Sequence, residues 1–220
     1  PTVEEGGIDL GKYPRPMGTS IRVTQIPMLG LNCAACHVGT VRTPDGTEDL
    51  LVLGMPAQQL DFLAYERFIL DAVNDPRFTA DVLIDAIRLK NPAFSFLDRL
   101  LYRYVVIPQV IDGVHQLEQD FEFALDESRS VWGPGRVETF TPYRVRLELP
   151  RSSFAEVGTV DFPSIWNQDI RVGMELHWDG NNISLQERNY SAAIGAGASE
   201  DSLDEVAIAR IARGIRTLRP

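Results

Sequence analysis

The chain is poor in the residues that build disulfide frameworks and protein-only metal sites. Its 220 residues include two cysteines and three histidines. A structural zinc takes four ligands, and this is a thin supply from which to draw them. A disulfide between cysteines only three positions apart is a strained, uncommon arrangement. No run of about eighteen apolar residues occurs, so no membrane-spanning helix is expected. Positive charge is in deficit, with 21 Lys and Arg against 31 Asp and Glu and a net charge of −10. Nucleic acid and anionic membrane surfaces are therefore poor partners. Residues Pro1 to Gly7 hold no basic segment leading into an apolar run, so no signal peptide is visible. What remains is ordinary for a globular chain: 44% hydrophobic and 24% charged residues, at a length that suits one domain, with or without insertions.

Both cysteines fall in one run, Cys33-Ala34-Ala35-Cys36-His37. Three positions apart on a helical turn, the two thiols face the same way and can add across the two vinyl groups of one haem. The histidine directly after the second cysteine is placed to give a ring nitrogen to the iron. This is the c-type haem attachment pattern. A thioredoxin-like dithiol would open a helix in a βαβ unit, and Met28 to Asn32 before the run and Val38 to Thr40 after it show no such unit. Cys33, Cys36 and His37 are thus expected to hold one covalent haem c, with His37 the iron ligand. Such attachment takes place outside the cytoplasm, so the expected location is periplasmic or secreted, with a signal segment not in this chain.

Residues 1–30 read as a loop-rich arm interrupted by Pro14, Pro16 and Pro27, with a short strand at Ile21–Ile26. Thr43-Pro44-Asp45-Gly46 is a turn. Leu60, Leu63, Ala64, Phe68 and Ala72 recur at helical spacing and predict a helix over Gln58–Val73. Thr79 caps the next, whose apolar face is Val82, Leu83, Ala86 and Ile87. A third spans Ala93–Val106, stopped by Pro108, and a fourth Val110–Leu125. Tyr143, Val145, Leu147 and Leu149 alternate with charged residues, which predicts a strand pairing with Val137–Phe140 as a small hairpin insertion over 137–149. Gly158 to Gly197 lacks periodicity and reads as long ordered loops. Ser202-Leu203-Asp204-Glu205 is a capping box opening a last helix with Val206, Ile208, Ile211 and Ile215 on its apolar side.

Several longer pieces carry a family likeness. They are Gly30 to Gly39 around the motif, Trp132-Gly133-Pro134-Gly135-Arg136-Val137, Asp161-Phe162-Pro163-Ser164-Ile165-Trp166-Asn167-Gln168, His177-Trp178-Asp179-Gly180-Asn181-Asn182, and Glu187 to Ala193 with Gly195 to Gly197. In these the chain resembles the bacterial di-haem cytochrome c peroxidase superfamily, and most of all its rubber oxygenase-like branch. The resemblance runs from about Gly30 to the end. It implies a mainly α, cytochrome c-like haem domain with long ordered loops. Relatives carry two haem motifs on two such domains. This chain carries one and its last helix resembles the junction toward the second, so 1–220 is expected to be a single cytochrome c-like haem domain, either a fragment holding the first haem domain or a reduced relative.

The far face of the iron has several candidate neighbours. His177 precedes Trp178-Asp179-Gly180, where the peroxidases have a histidine-aspartate-glycine motif near haem, and so becomes the expected distal residue, as ligand, acid/base or loop anchor. Met17, Met28, Met55 and Met174 are possible thioether ligands, though methionine is more often core filler. His115 lies in a helical pattern beside Gln116 and Glu118 and reads as a surface or structural histidine. Phe162, Trp166 and Trp178 could line the pocket or pack the core. Arg136, Arg171 and Arg188 could meet haem propionates, with surface ion pairing the ordinary alternative. The expected function is an extracytoplasmic haem oxidoreductase reacting with a small oxidant, peroxide or dioxygen. Peroxide chemistry wants a polar distal group, whereas oxygenation of an apolar substrate such as a polyisoprene wants a dry pocket. The alternative is a non-enzymatic electron carrier whose iron is closed by Met or His. The partner is then a redox protein, of basic surface if charge decides, or a second haem domain.

Overall fold

The computed structural model describes residues 4, 5, 8, 9, 17–23, 26–47, 49–125, 131–138, 141–146, 148–150, 152, 158–177, 180–196 and 198–220. The chain forms two units, one of residues 1–60, 134–139 and 159–220, the other of residues 61–133 and 140–158.

The first unit begins with three antiparallel pairs. β1 (Glu4–Glu5) pairs with β2 (Ile8–Asp9), β3 (Thr19–Val23) with β4 (Pro27–Leu31), and β5 (Val38–Arg42) with β6 (Asp49–Leu53). The loop-rich arm expected over 1–30 is therefore corrected in its second half, where Thr19↔Leu31 to Val23↔Pro27 form a hairpin. The strand starts before Ile21, and Pro27 opens the return strand, a position where the missing N–H costs the ladder little. Thr43 to Gly46 turns the next hairpin as expected: Gly46 N–H donates to Thr43 O at 2.8 Å, and Gly46 takes φ +71°. Asp45 Oδ1 accepts from the Thr43 hydroxyl at 2.6 Å, an Asx brace within the turn.

The second unit is helical. α1 (Phe62–Asn74) starts at Asp61, whose carboxylate accepts from Ala64 N–H. α2 (Ala80–Lys90) starts at Thr79, as predicted. α3 (Phe96–Leu101) opens with a Ser95–Asp98 capping box and runs through a π-helical turn (Tyr102–Val106) into α4 (Ile107–Leu125). Pro108 does not end a helix. The wider turn, in which Ile107 N–H donates to Tyr102 O, displaces the carbonyl that the proline ring would strike.

The hairpin predicted over 137–149 is also corrected. Residues Thr141–Arg146 form α5, and β7 (Arg136–Val137) pairs instead with β8 (Val160–Asp161) of the first unit. Thr-Pro is a helix-start signal as much as a turn signal, and six residues are too few for alternation to outweigh it. Thr139, Phe140 and Leu147, parts of that prediction, lie outside the described residues. The first unit ends with α6 (Leu185–Gly195), inside the stretch expected to be loops, and α7 (Glu205–Ile215) packed against it. Asp204, not Ser202, caps α7; Ser202 closes a 3₁₀ turn over Glu200–Ser202. Among the described residues, no helix is long and apolar enough to cross a membrane.

The core of the second unit is Leu63, Leu70, Ile84, Val106, Ile107, Phe123, Ala124 and Trp132. Phe62 lies parallel to Trp132 with ring centroids 6.4 Å apart, and Phe121 and Phe123 meet the same indole. Trp132→Ala should cost about 3–5 kcal/mol of unfolding free energy in chemical denaturation. Phe68→Ala, on an exposed side chain, should stay within about 0.5 kcal/mol of the parent.

Glu66 is buried in α1 with its Oε2 unpaired, and desolvation pushes its carboxyl up to about 7. Folding therefore binds a proton here that the unfolded chain, titrating near 4.5, has released. Stability from this group is present below that lower value and is lost as pH rises toward 7. Glu66→Gln should flatten that decline in unfolding free energy between about pH 4.5 and 7. An unaltered slope would show that Glu66 ionises normally in the fold.

Candidate functional site

The motif folds as a tight turn between two hairpins. Asn32 caps a 3₁₀ turn over Cys33–Ala35: its Oδ1 accepts from Ala34 N–H at 2.9 Å, while Cys36 and His37 N–H both donate to Cys33 O. Gly18 lies directly against this turn. Its carbonyl accepts from Asn32 N–H at 2.8 Å, and with φ +84° a Cβ on it would sit 2.7 Å from Ala35 Cα. On the other side, Cys36 O accepts from Ala57 N–H at 2.9 Å and His37 O from Gly54 N–H at 2.8 Å. The turn is thus stitched to the end of β6. Both thiols are free, Cys33 exposed and Cys36 half-buried. Burial first, and the neighbouring Cys33 second, push the Cys36 thiol up to about 11. Among the described residues no group of three or more His, Cys, Asp or Glu is gathered into a metal site.

His37 is held by a strap over residues 162–168. Its Nδ1 lies 2.9 Å from Pro163 O. A carbonyl can only accept, so Nδ1 carries the proton and Nε2 keeps its lone pair. Burial lowers the imidazole's pKa, the Pro163 bond opposes that, and the Arg188 charge adds to it, so the neutral ring is favoured. The strap is itself tied down. Phe162 N–H donates to Gly135 O, Ile165 N–H to Gly54 O, Asn167 N–H to Leu218 O, and Trp166 Nε1–H to Leu53 O at 2.7 Å. Gly54, at φ +79°, admits the Trp166 ring, since a Cβ there would lie 2.6 Å from Trp166 Cδ1. Phe162 is buried and Trp166 half-buried, both as packing elements of the strap. Trp178 and Asp179 lie outside the described residues.

The three candidate arginines separate. Arg136 pairs with Asp161 at 3.3 Å on the surface. Arg188, half-buried on α6, donates to Gln168 Oε1 and, at 3.1 Å, to Asn189 Oδ1. Burial lowers its pKa first and the charge of Arg171 next, with Cys33 acting in the opposite direction. Arg188, Arg171, Cys33 and His37 are therefore electrostatic neighbours.

Of the remaining candidates Met55 lies beside the motif, and the others are not joined to it among the described residues. His115 sits on α4 in the second unit, 3.3 Å from Asn74 Oδ1. Met17, Met28 and Met174 are exposed. Met55 packs on Gly39, where a Cβ would lie 3.0 Å from its sulfur, which is the gap-filling role expected of methionine. His177 is exposed, in the left-handed region at φ +67°, and heads a turn closed by the Leu176–Asn182 bridge. No hydrogen bond or ion pair joins it to Cys33, Cys36 or His37 among the described residues.

Asn32, Gly18 and Gln168 were not singled out from the sequence. Asn32 had a signal, an Asx residue immediately before a helical turn. Gly18 and Gln168 act through contacts with residues distant in sequence and had none. No family model, curated protein or solved structure matches the chain.

Gly18→Ala must both strain a left-handed backbone and displace Ala35. It should lose at least about 1 kcal/mol of unfolding free energy. Gly30→Ala, which meets open space, should be neutral or mildly stabilising by the same measurement. Equal effects would mean that Gly18 does not support the motif.

Proposed function

We propose that this chain is an extracytoplasmic c-type haem oxidoreductase module of the di-haem cytochrome c peroxidase superfamily, in its rubber oxygenase-like branch, acting on peroxide or dioxygen. The observation that carries the reading is the His37 Nδ1 bond to Pro163 O, on the residue that directly follows two reduced cysteines. A metal-ligating histidine characteristically donates its other ring N–H to a carbonyl or carboxylate, which fixes tautomer and orientation. His37 has that arrangement.

The attachment chemistry is balanced by what the site offers. Each thiol S–H adds across a vinyl C=C, sulfur bonding one carbon and hydrogen the other, so both cysteines must be reduced and no oxidant is consumed. Cys33 and Cys36 are free thiols on one turn. The first unit also has apolar side chains left to bury, as a unit that takes a large flat ligand would. Among the described residues the first unit buries only Ala57, Phe162 and Leu176 as apolar side chains, while Leu29, Leu31, Leu53, Ile170, Val172 and Ile183 are exposed. Bound there, the haem would supply a redox-active iron able to react with small oxidants. His37 would hold the iron from one side, and Pro163 would keep the ring proton at Nδ1. His177, on a polar turn of the same unit, is the residue we assign to the far side.

Intact mass after acid and organic extraction, on protein matured with haem-attachment machinery, should equal polypeptide plus one haem. Mass equal to the bare polypeptide overturns the reading. The ferrous protein should bind carbon monoxide, and His177→Ala should alter that binding or the ferric spectrum while His115→Ala does not. A ferrous form that refuses carbon monoxide would make the chain an electron carrier instead.

A further inference from the structure

We infer that Arg188 and Arg171 form a two-cation clamp for the propionate carboxylates of the haem attached at Cys33 and Cys36. This rests on the proposed function and adds to it the residues that take the acidic edge of the cofactor.

Geometry places the clamp at the attachment site. The strap that holds His37 through Pro163 O also holds Arg188 through the Gln168 side chain, five positions further on. Gln168 is buried and its Nε2 donates to Ile165 O at 2.8 Å, so Oε1 is turned toward the guanidinium. Arg171 follows on the adjacent 3₁₀ turn, Asp169–Arg171, and its charge is felt at Arg188.

Electrostatics then calls for an anion. Arg188 is half-buried, yet its acceptors are neutral amides, and neither Arg188 nor Arg171 has a carboxylate within ion-pair distance among the described residues. Elsewhere in the first unit Arg42 pairs with Asp49, Arg136 with Asp161 and Arg219 with Asp169, while Arg22 donates to Ser202 O. Two unpaired cations in partial burial are unfavourable unless a carboxylate joins them. A guanidinium has five N–H donors, of which two are used, by Gln168 and Asn189. The remainder suit a carboxylate fork.

The test uses the holoprotein, with covalent haem verified by intact mass. Resonance Raman propionate bending modes and the midpoint potential are compared across variants. Arg171→Gln and Arg188→Gln should each shift the propionate modes and lower the potential, because loss of a nearby cation favours the ferric state, and the double variant should do both further. Arg188→Lys should shift the modes, since a point charge replaces the fork, while holding the potential near that of the parent. Arg136→Gln, on the surface ion pair, should leave both readings unmoved. Covalent haem with unchanged modes and potential in Arg171→Gln/Arg188→Gln overturns the clamp alone. If the double variant does not load, unchanged modes in Arg188→Lys overturn it. A parent protein without covalent haem overturns the proposed function and the clamp together.

Discussion

The hydrogen bond from His37 Nδ1–H to Pro163 O is the constraint around which the first unit is arranged. It joins residues 126 apart in the chain. As a contribution to stability a single such bond is small, about 0.5–1.5 kcal/mol net. Its importance is positional. It decides which ring nitrogen carries a lone pair, and it fixes the plane of a side chain that would otherwise rotate. A bond with that role is only as good as its acceptor, and so the strap carrying Pro163 is tied at Gly135, Gly54, Leu53 and Leu218. Asn167 adopts φ +56° within the strap. Asn is among the residues that tolerate that region best, and the anchors on both sides hold it there.

The same packing sets the charge state of everything near the ring. Burial raises the Cys36 thiol, lowers the His37 imidazole and lowers the Arg188 guanidinium. Each shift favours the neutral form, as desolvation must. For Cys36 and His37 neutrality is what the proposed chemistry requires, a thiol that carries its own hydrogen and an imidazole with a lone pair. For Arg188 neutrality is out of reach, because guanidinium does not deprotonate in proteins. The unfavourable term at that one residue therefore persists until an anion offsets it.

Legibility in the sequence followed the range of the interactions. The motif, the Thr79 cap and the turn over Thr43–Gly46 depend on residues within a few positions, and all three were readable. So was the Ser184-x-x-Glu187 start of α6 in principle, since Ser184 Oγ accepts from Glu187 N–H and Glu187 reaches back to Ile183 N–H. The Gly- and Asn-rich surroundings mask that start, because they favour loop over the whole stretch. Pro108 misled because a proline's effect depends on whether the preceding turn can widen, which only packing decides. The alternation at Tyr143 to Leu149 misled because short periodic runs do not separate strand from helix. The partnership of His37 with Pro163, and of Arg188 with Gln168, left no mark in either local sequence. Both are products of the strap's course through the fold.

The distribution of buried apolar residues bears on how such a site can work at all. Among the described residues, the unit without the motif buries eight apolar side chains, Leu63, Leu70, Ile84, Val106, Ile107, Phe123, Ala124 and Trp132, and the unit with it buries Ala57, Phe162 and Leu176. With few fully buried apolar side chains among its described residues, that unit has little hydrophobic stabilisation visible there. A noncovalent ligand would have to supply affinity as well as burial there, and would leave whenever the surrounding strands frayed. Two thioether bonds remove the affinity requirement, because a tethered ligand meets its site at an effective concentration that dilution cannot lower. On the proposed reading the paired cysteines are therefore the answer to a small core. They let a site with one ligating histidine and few buried apolar neighbours retain a cofactor that elsewhere needs a deep apolar pocket.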